Sequence, residues 1–132
     1  MKILNLTQHS PTKDQIKAGV VDPDDVNARN RALNVQASDL VGPDVAAIIH
    51  NRVADLIEIV LQHGIDHPVL DGRVMIGGLP VLTSALAGVL AKIGCEPVYA
   101  VTDRVSVESV QPDGSVRKTS EFRHVGFVPA IL

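Results

Sequence analysis

Residues 72–101, GRVMIGGLPVLTSALAGVLAKIGCEPVYAV, constrain the chain more than any other stretch. A short apolar run, Arg73–Ile76, halts at Gly77-Gly78. A long apolar segment follows, with Pro80 in its first turn and Gly94 just past its end, the places where a helix best accepts these residues. From Pro97 to Thr102 the composition returns to that of a strand. Strand, helix, strand, with both strands nearly continuous in apolar residues, is the pattern of a parallel sheet covered by helices.

The same order is predicted upstream. Lys2–Leu6, KILNL, reads as a buried strand that opens onto TQHSPT. Thr12 and Gln15 have capping-box spacing, so a helix is expected from Lys13 with Gly19 as its stop. Pro43-Asp44 starts a longer helix, on which Val45, Ile48, Ile49, Val53, Leu56, Ile57, Val60 and Leu61 form a wide apolar face; Gly64 should end it. Residues 20–43 are polar and read as an irregular insertion, with a weak helix start at Asp22-Pro23. Near the end, VSVESV and SVRKTSEF alternate on either side of Gln111-Pro112-Asp113-Gly114, a hairpin signal, and HVGFV closes the sheet. The prediction is an α/β fold over residues 1–132: one three-layer Rossmann-like domain with a mainly parallel sheet and a C-terminal β-hairpin. Tyr99, Phe122 and Phe127, the only aromatics of the chain, are expected in its core.

Composition narrows the function classes. With 45% hydrophobic and 20% charged residues, the 132-residue chain is of globular type and large enough for a core. A net charge of −3 argues against binding long nucleic acid but leaves room for a small anion held by local donors. Cys95 is the only cysteine, so neither an intrachain disulfide nor a cysteine-based zinc site can form, and it reads as structural. His50, His63 and His67 are expected on the surface of the long helix and its exit. No HExxH or carboxylate cluster at ligand spacing occurs, so no metal and no cofactor is expected. No signal peptide follows Met1-Lys2, and polar residues interrupt the run Val45–Leu61. A cytoplasmic protein with no membrane span is the expectation.

In an open parallel sheet, ligands collect outside the carboxyl ends of the strands. Three such ends are expected side by side: Thr7-Gln8-His9-Ser10, Gly77-Gly78 leading to Thr83 and Ser84, and Thr102-Asp103-Arg104. The glycine pair before a helix start would let backbone amides approach a phosphate, although it also suits a plain tight turn. Arg104 can grip a phosphate with two parallel bonds, or pair with Asp103 or Glu108 on the sheet surface. His9 and His124 could move a proton or contact phosphate, and His124 could equally pin the hairpin.

Here a resemblance enters. The tail PVYAVTDRVSVESVQPDGSVRKTSEFRHVGFV resembles that of a small CRISPR-associated family of ring-nuclease-type proteins, related to the CRISPR-associated Rossmann-fold (CARF) proteins. The matching positions are Tyr99, Ala100, Thr102, Arg104, Glu108, Asp113-Gly114-Ser115-Val116, Phe122, His124, Val125 and Phe127. The opening ILNLTQHSPTKDQ is similar through His9, Thr12 and Gln15. Two positions depart from the pattern: Val101 replaces a second threonine, and the Gly77-Gly78 turn lacks an acidic residue.

The resemblance implies a homodimer, acting in antiviral defence, whose pocket takes a cyclic oligoadenylate. The ring is cut without metal, a ribose 2′-hydroxyl attacking the adjacent phosphate. Because the substrate supplies the nucleophile, the protein need only align it and stabilise charge. His9, Thr102 and Arg104 are then the catalytic candidates, with Thr7, Ser10, Gly77, Gly78, Thr83 and His124 as ligand-binding candidates. Two other readings stay open: a sensor or sponge that binds a cyclic nucleotide without cutting it, and an α/β protein without a nucleotide role whose hairpin forms a dimer surface.

Overall fold

The computed structural model describes residues 2–67 and 72–132. Its elements run β1 (Ile3–Leu6), α1 (Lys13–Lys17), β2 (Val20–Val21), α2 (Val26–Leu33), α3 (Ala37–Leu40), α4 (Val45–Asp66), β3 (Arg73–Ile76), α5 (Pro80–Lys92), β4 (Glu96–Val110) and β5 (Val116–Pro129). They form a mixed α/β architecture around one five-stranded sheet of order β2-β1-β3-β4-β5. The first three pairings are parallel and only β4–β5 is antiparallel.

Alternation along the short strands divides the core. Leu4, Leu6, Val74 and Ile76 face α2, α4 and α5, whose Leu33, Leu56, Leu82 and Leu86 fill that side. Ile3, Val20, Met75 and Val98 form a smaller cluster with Ala100 and Phe127. Helix α1 touches both β2 and β5, the two ends of the strand order, so the sheet curls around this second cluster. On α4 the buried positions Ile49, Val53, Leu56 and Val60 repeat at helical spacing, whereas Leu61 lies off that face and is exposed. Fully burying a leucine such as Leu56 stabilises the fold by roughly 1.5–3 kcal/mol.

The capping box at α1 forms as expected: Gln15 N–H donates to Thr12 Oγ1 and Thr12 N–H to Gln15 Oε1. Helix α5 has Pro80 in its first turn, and Gly94 after it takes a φ of 86°.

Elsewhere the structure departs from expectation. Gly64 does not end α4, which runs on to Asp66; a glycine inside a helix costs about 1 kcal/mol, a small penalty beside the burial of Val60 and His63 around it. His63 is not a surface residue, being only 5% exposed. Residues 20–43 hold a sheet strand, β2, and a helix, α2, capped by Asp25 rather than Asp22. No strand end occurs at Thr102: β4 continues to Val110 because no glycine or proline breaks its alternation, with only a register irregularity at Val101/Thr102. Beyond that point β4 and β5 pair with each other as a two-stranded arm, from Thr102–His124 to Val110–Val116. Phe122 sits on this arm, 72% exposed, and not in the core.

Candidate functional site

At the carboxyl ends of β1 and β3 lies a cleft of about 620 Å³. Thr7, His9 and Ser10 line it from the loop after β1, Gly77 and Gly78 from the loop after β3, and Tyr99 from β4. Gly78 has a φ of 111°, a conformation that side chains other than glycine's resist. The turn delivers the chain to α5, whose cap residue Leu79 makes no side-chain bond to the first helical turn. Pro80 brings no N–H to that turn, and Leu82 and Thr83 donate theirs to the Leu79 carbonyl at 3.1 and 2.9 Å, so the helix lends the cleft the partial positive charge of its dipole rather than a set of free amides.

A buried polar network holds the β1 loop. Asn5 is fully buried in an otherwise apolar strand. Its Nδ2 donates to the His9 carbonyl at 2.8 Å and to Asp22 Oδ1 at 2.9 Å. Its Oδ1 accepts from Thr7 N–H at 2.9 Å and from Thr7 Oγ1 at 2.7 Å. Asp22 Oδ1 also accepts from Arg29 Nη1 at 2.6 Å, and Arg29 is just 1% exposed. The guanidinium further reaches Asn30 Oδ1 at 3.1 Å and the Asn5 carbonyl at 3.4 Å. A buried charge stays tolerable only when paired and hydrogen-bonded in this way. Arg29, Asp22 and Asn5 thus fix where Thr7 and His9 stand, while the His9 side chain remains exposed. Sequence reasoning missed all three. The available signal was Asn5 itself, an amide in the middle of KILNL that had to find partners.

Of the predicted site residues, the structure brings Thr7, His9, Ser10, Gly77 and Gly78 into one cleft. Thr83 does not line it: the residue is 3% exposed and its hydroxyl donates to the Pro80 carbonyl at 3.3 Å. Thr102, Arg104 and His124 stand on the arm. Arg104 is paired in register with Phe122, its guanidinium 5.8 Å from the ring centroid. His124 lies opposite Thr102 and packs on Phe127, with ring centroids 4.8 Å apart.

A family model described as "Uncharacterized protein MJ1673 family" matches residues 1–128. The chain belongs to the MJ1673 family. No curated protein and no solved structure matches it. The span shared with the MJ1673 family takes in every cleft loop and the arm to within one residue of the end of β5.

What this MJ1673-family cleft can do chemically follows from its lining. It offers hydroxyls, amides, one imidazole and an aromatic face, and no Lys, Arg, Asp or Glu is among its lining residues. Such a set can hold a phosphoester and a base through neutral donors and stacking. Lys13 directly follows the lining residue Thr12, whereas Arg104 stands four residues beyond Ala100 on an extended strand, about 13 Å further on. Cys95, half-buried away from the cleft, has its thiol pushed up by burial and is a poor nucleophile. No helix among the described residues is long and apolar enough to cross a membrane.

Proposed function

We propose that the protein is a metal-independent ring nuclease for cyclic oligoadenylate, working as a homodimer in the cytoplasm on a three-layer, CARF-like frame closed by a C-terminal hairpin. One observation carries this reading: the hydroxyl- and imidazole-bearing loop Thr7–Ser10 and the Gly77-Gly78 turn meet in a single cleft at the carboxyl edge of the sheet. In the proposed step a ribose 2′-oxygen attacks the neighbouring phosphorus in line. The bond from phosphorus to the 5′-oxygen breaks, and a 2′,3′-cyclic phosphate remains. The proton lost by the 2′-hydroxyl is taken up by the departing 5′-oxygen, with His9 as the carrier. Thr7 and Ser10 align the ribose, and the Gly77-Gly78 amides, with the dipole of α5 behind them, stabilise charge on the phosphoryl oxygens. A ring is wide enough to pass beyond the cleft to the arm, where Arg104 and Thr102 would meet it.

A second reading is favoured by the uncharged lining of the cleft: binding of an intact ring as a sensor or sponge, without transition-state stabilisation. Incubation of the purified protein with a panel of cyclic oligonucleotides in EDTA, followed by chromatography, separates the two. Linear products ending in a cyclic phosphate support the nuclease. A retained, intact ring supports the sponge, and no retention refutes both.

A further inference from the structure

A second cleft, of about 570 Å³, is lined by the loop before α2, by α2 and by α4, and the proposed activity does not use it. Its floor is His63, whose two ring nitrogens are buried without a hydrogen-bond partner among the described residues. A buried polar group left in this state costs the fold about 1–3 kcal/mol, so its retention calls for a partner. One turn further along, His67 closes α4, its ring centroid 4.3 Å from that of His63. Asp24, from the loop between β2 and α2, places its carboxylate oxygens 3.4 and 3.3 Å from His67 Nε2. One ligand atom from each of Asp24, His63 and His67 lies within 4.8 Å of the other two.

We propose that Asp24, His63 and His67 form a structural site for a divalent transition-metal ion, zinc by preference. Two imidazoles and one carboxylate are a donor set that suits zinc, leaving a fourth position for water. In a tetrahedral site with bonds near 2.0–2.1 Å, ligand atoms lie about 3.3 Å apart, a distance Asp24 and His67 Nε2 already keep, so the remaining separations must close by at most roughly 1.5 Å. His67 and Asp24, which are 44% and 70% exposed, are free to turn, whereas His63 is held by its burial. Asp55, Glu58 and Asp66 on the same cleft add negative charge, against Arg31 and Arg52. A bound ion would tie the end of α4 to the segment that carries Asp22. This site stands independently of the ring-nuclease reading, since none of its residues lines the first cleft.

The test uses tag-free, EDTA-stripped protein titrated with Co²⁺ and then Zn²⁺, read by the visible absorption of Co²⁺ and by melting temperature. The expected result is one Co²⁺ per chain, displaced by Zn²⁺, and a rise in Tm of roughly 8 °C with metal at a hundred times its Kd. Asp24→Ala and His67→Ala should each weaken binding more than tenfold, while leaving the metal-free Tm within about 2 °C because both side chains are exposed. His63→Leu should stay folded without metal and lose the Tm response. His50→Ala, at the far end of α4, should bind normally. Absence of saturable binding, or binding unaltered in Asp24→Ala and His67→Ala, would overturn the proposal.

Discussion

Removing the Asp22 carboxylate should damage this protein more than its partly exposed position suggests. Asp22 is 31% exposed, but the guanidinium it neutralises is buried, and its other contacts are the weaker bonds to Asn30 and to the Asn5 carbonyl. Breaking a buried pair from one side leaves an uncompensated charge, at a cost of about 3–5 kcal/mol. Partial solvation of Asp22 puts the expected loss for Asp22→Ala at the lower end, about 3 kcal/mol, or roughly 10 °C in Tm for a chain of this size. Arg29→Met removes the buried charge instead and keeps its volume. The carboxylate left behind can turn to water and still accept from Asn5 Nδ2, so about 1 kcal/mol is expected. The double variant should sit close to Arg29→Met alone, giving a coupling of 2 kcal/mol or more. Urea unfolding of the four proteins measures this, provided that the slope with denaturant is unchanged. If Asp22→Ala lies within 0.5 kcal/mol of the parent, or Arg29→Met costs as much as Asp22→Ala, the charge argument is wrong.

Three further outcomes can be checked. Gly78→Ala should cost about 1–3 kcal/mol through backbone strain alone, since a Cβ there meets nothing within 4 Å, and it should weaken nucleotide binding by shifting the start of α5; an unchanged urea midpoint would argue against the strain. Arg104→Ala should lower Tm by no more than about 3 °C, because an exposed cation–ring contact contributes only about 0.5–1 kcal/mol, yet lower cyclic-oligoadenylate affinity at least tenfold by calorimetry; a large loss of Tm with affinity intact would make Arg104 structural. Cys95, whose thiol is pushed up by burial, should be alkylated at pH 7.5 at least tenfold more slowly than free cysteine and reach the free rate only in denaturant; equal rates in the native protein would refute its burial.

What the sequence made legible was local. The Thr12–Gln15 box, Pro80 and Gly94 around α5, and the Asp113-Gly114 turn each work within a few residues, and each appears where its chemistry requires. The Asn5–Asp22–Arg29 network was hidden because its members lie 17 and 24 residues from Asn5, and no local rule pairs an amide with a carboxylate at that distance. Strand β2 was hidden by its brevity, two residues whose pairing with β1 gives them their meaning. His63 was readable in part: Ile49, Val53, Leu56 and Val60 repeat at steps of four and three, and the next step falls on it. The arm was misplaced for a physical reason. Alternation shows that residues 102–124 pair as strands but cannot show whether the rest of the sheet covers them, so Phe122 was assigned to a core that it does not reach.

The cleft reading is tested most directly by mass spectrometry of a cyclic oligoadenylate incubated in EDTA with wild-type protein and with His9→Ala. The account predicts linear oligoadenylate ending in a 2′,3′-cyclic phosphate from the wild type, formed at least a hundredfold more slowly by His9→Ala. An intact ring after prolonged incubation with folded wild-type protein, or equal rates for the two proteins, would contradict it.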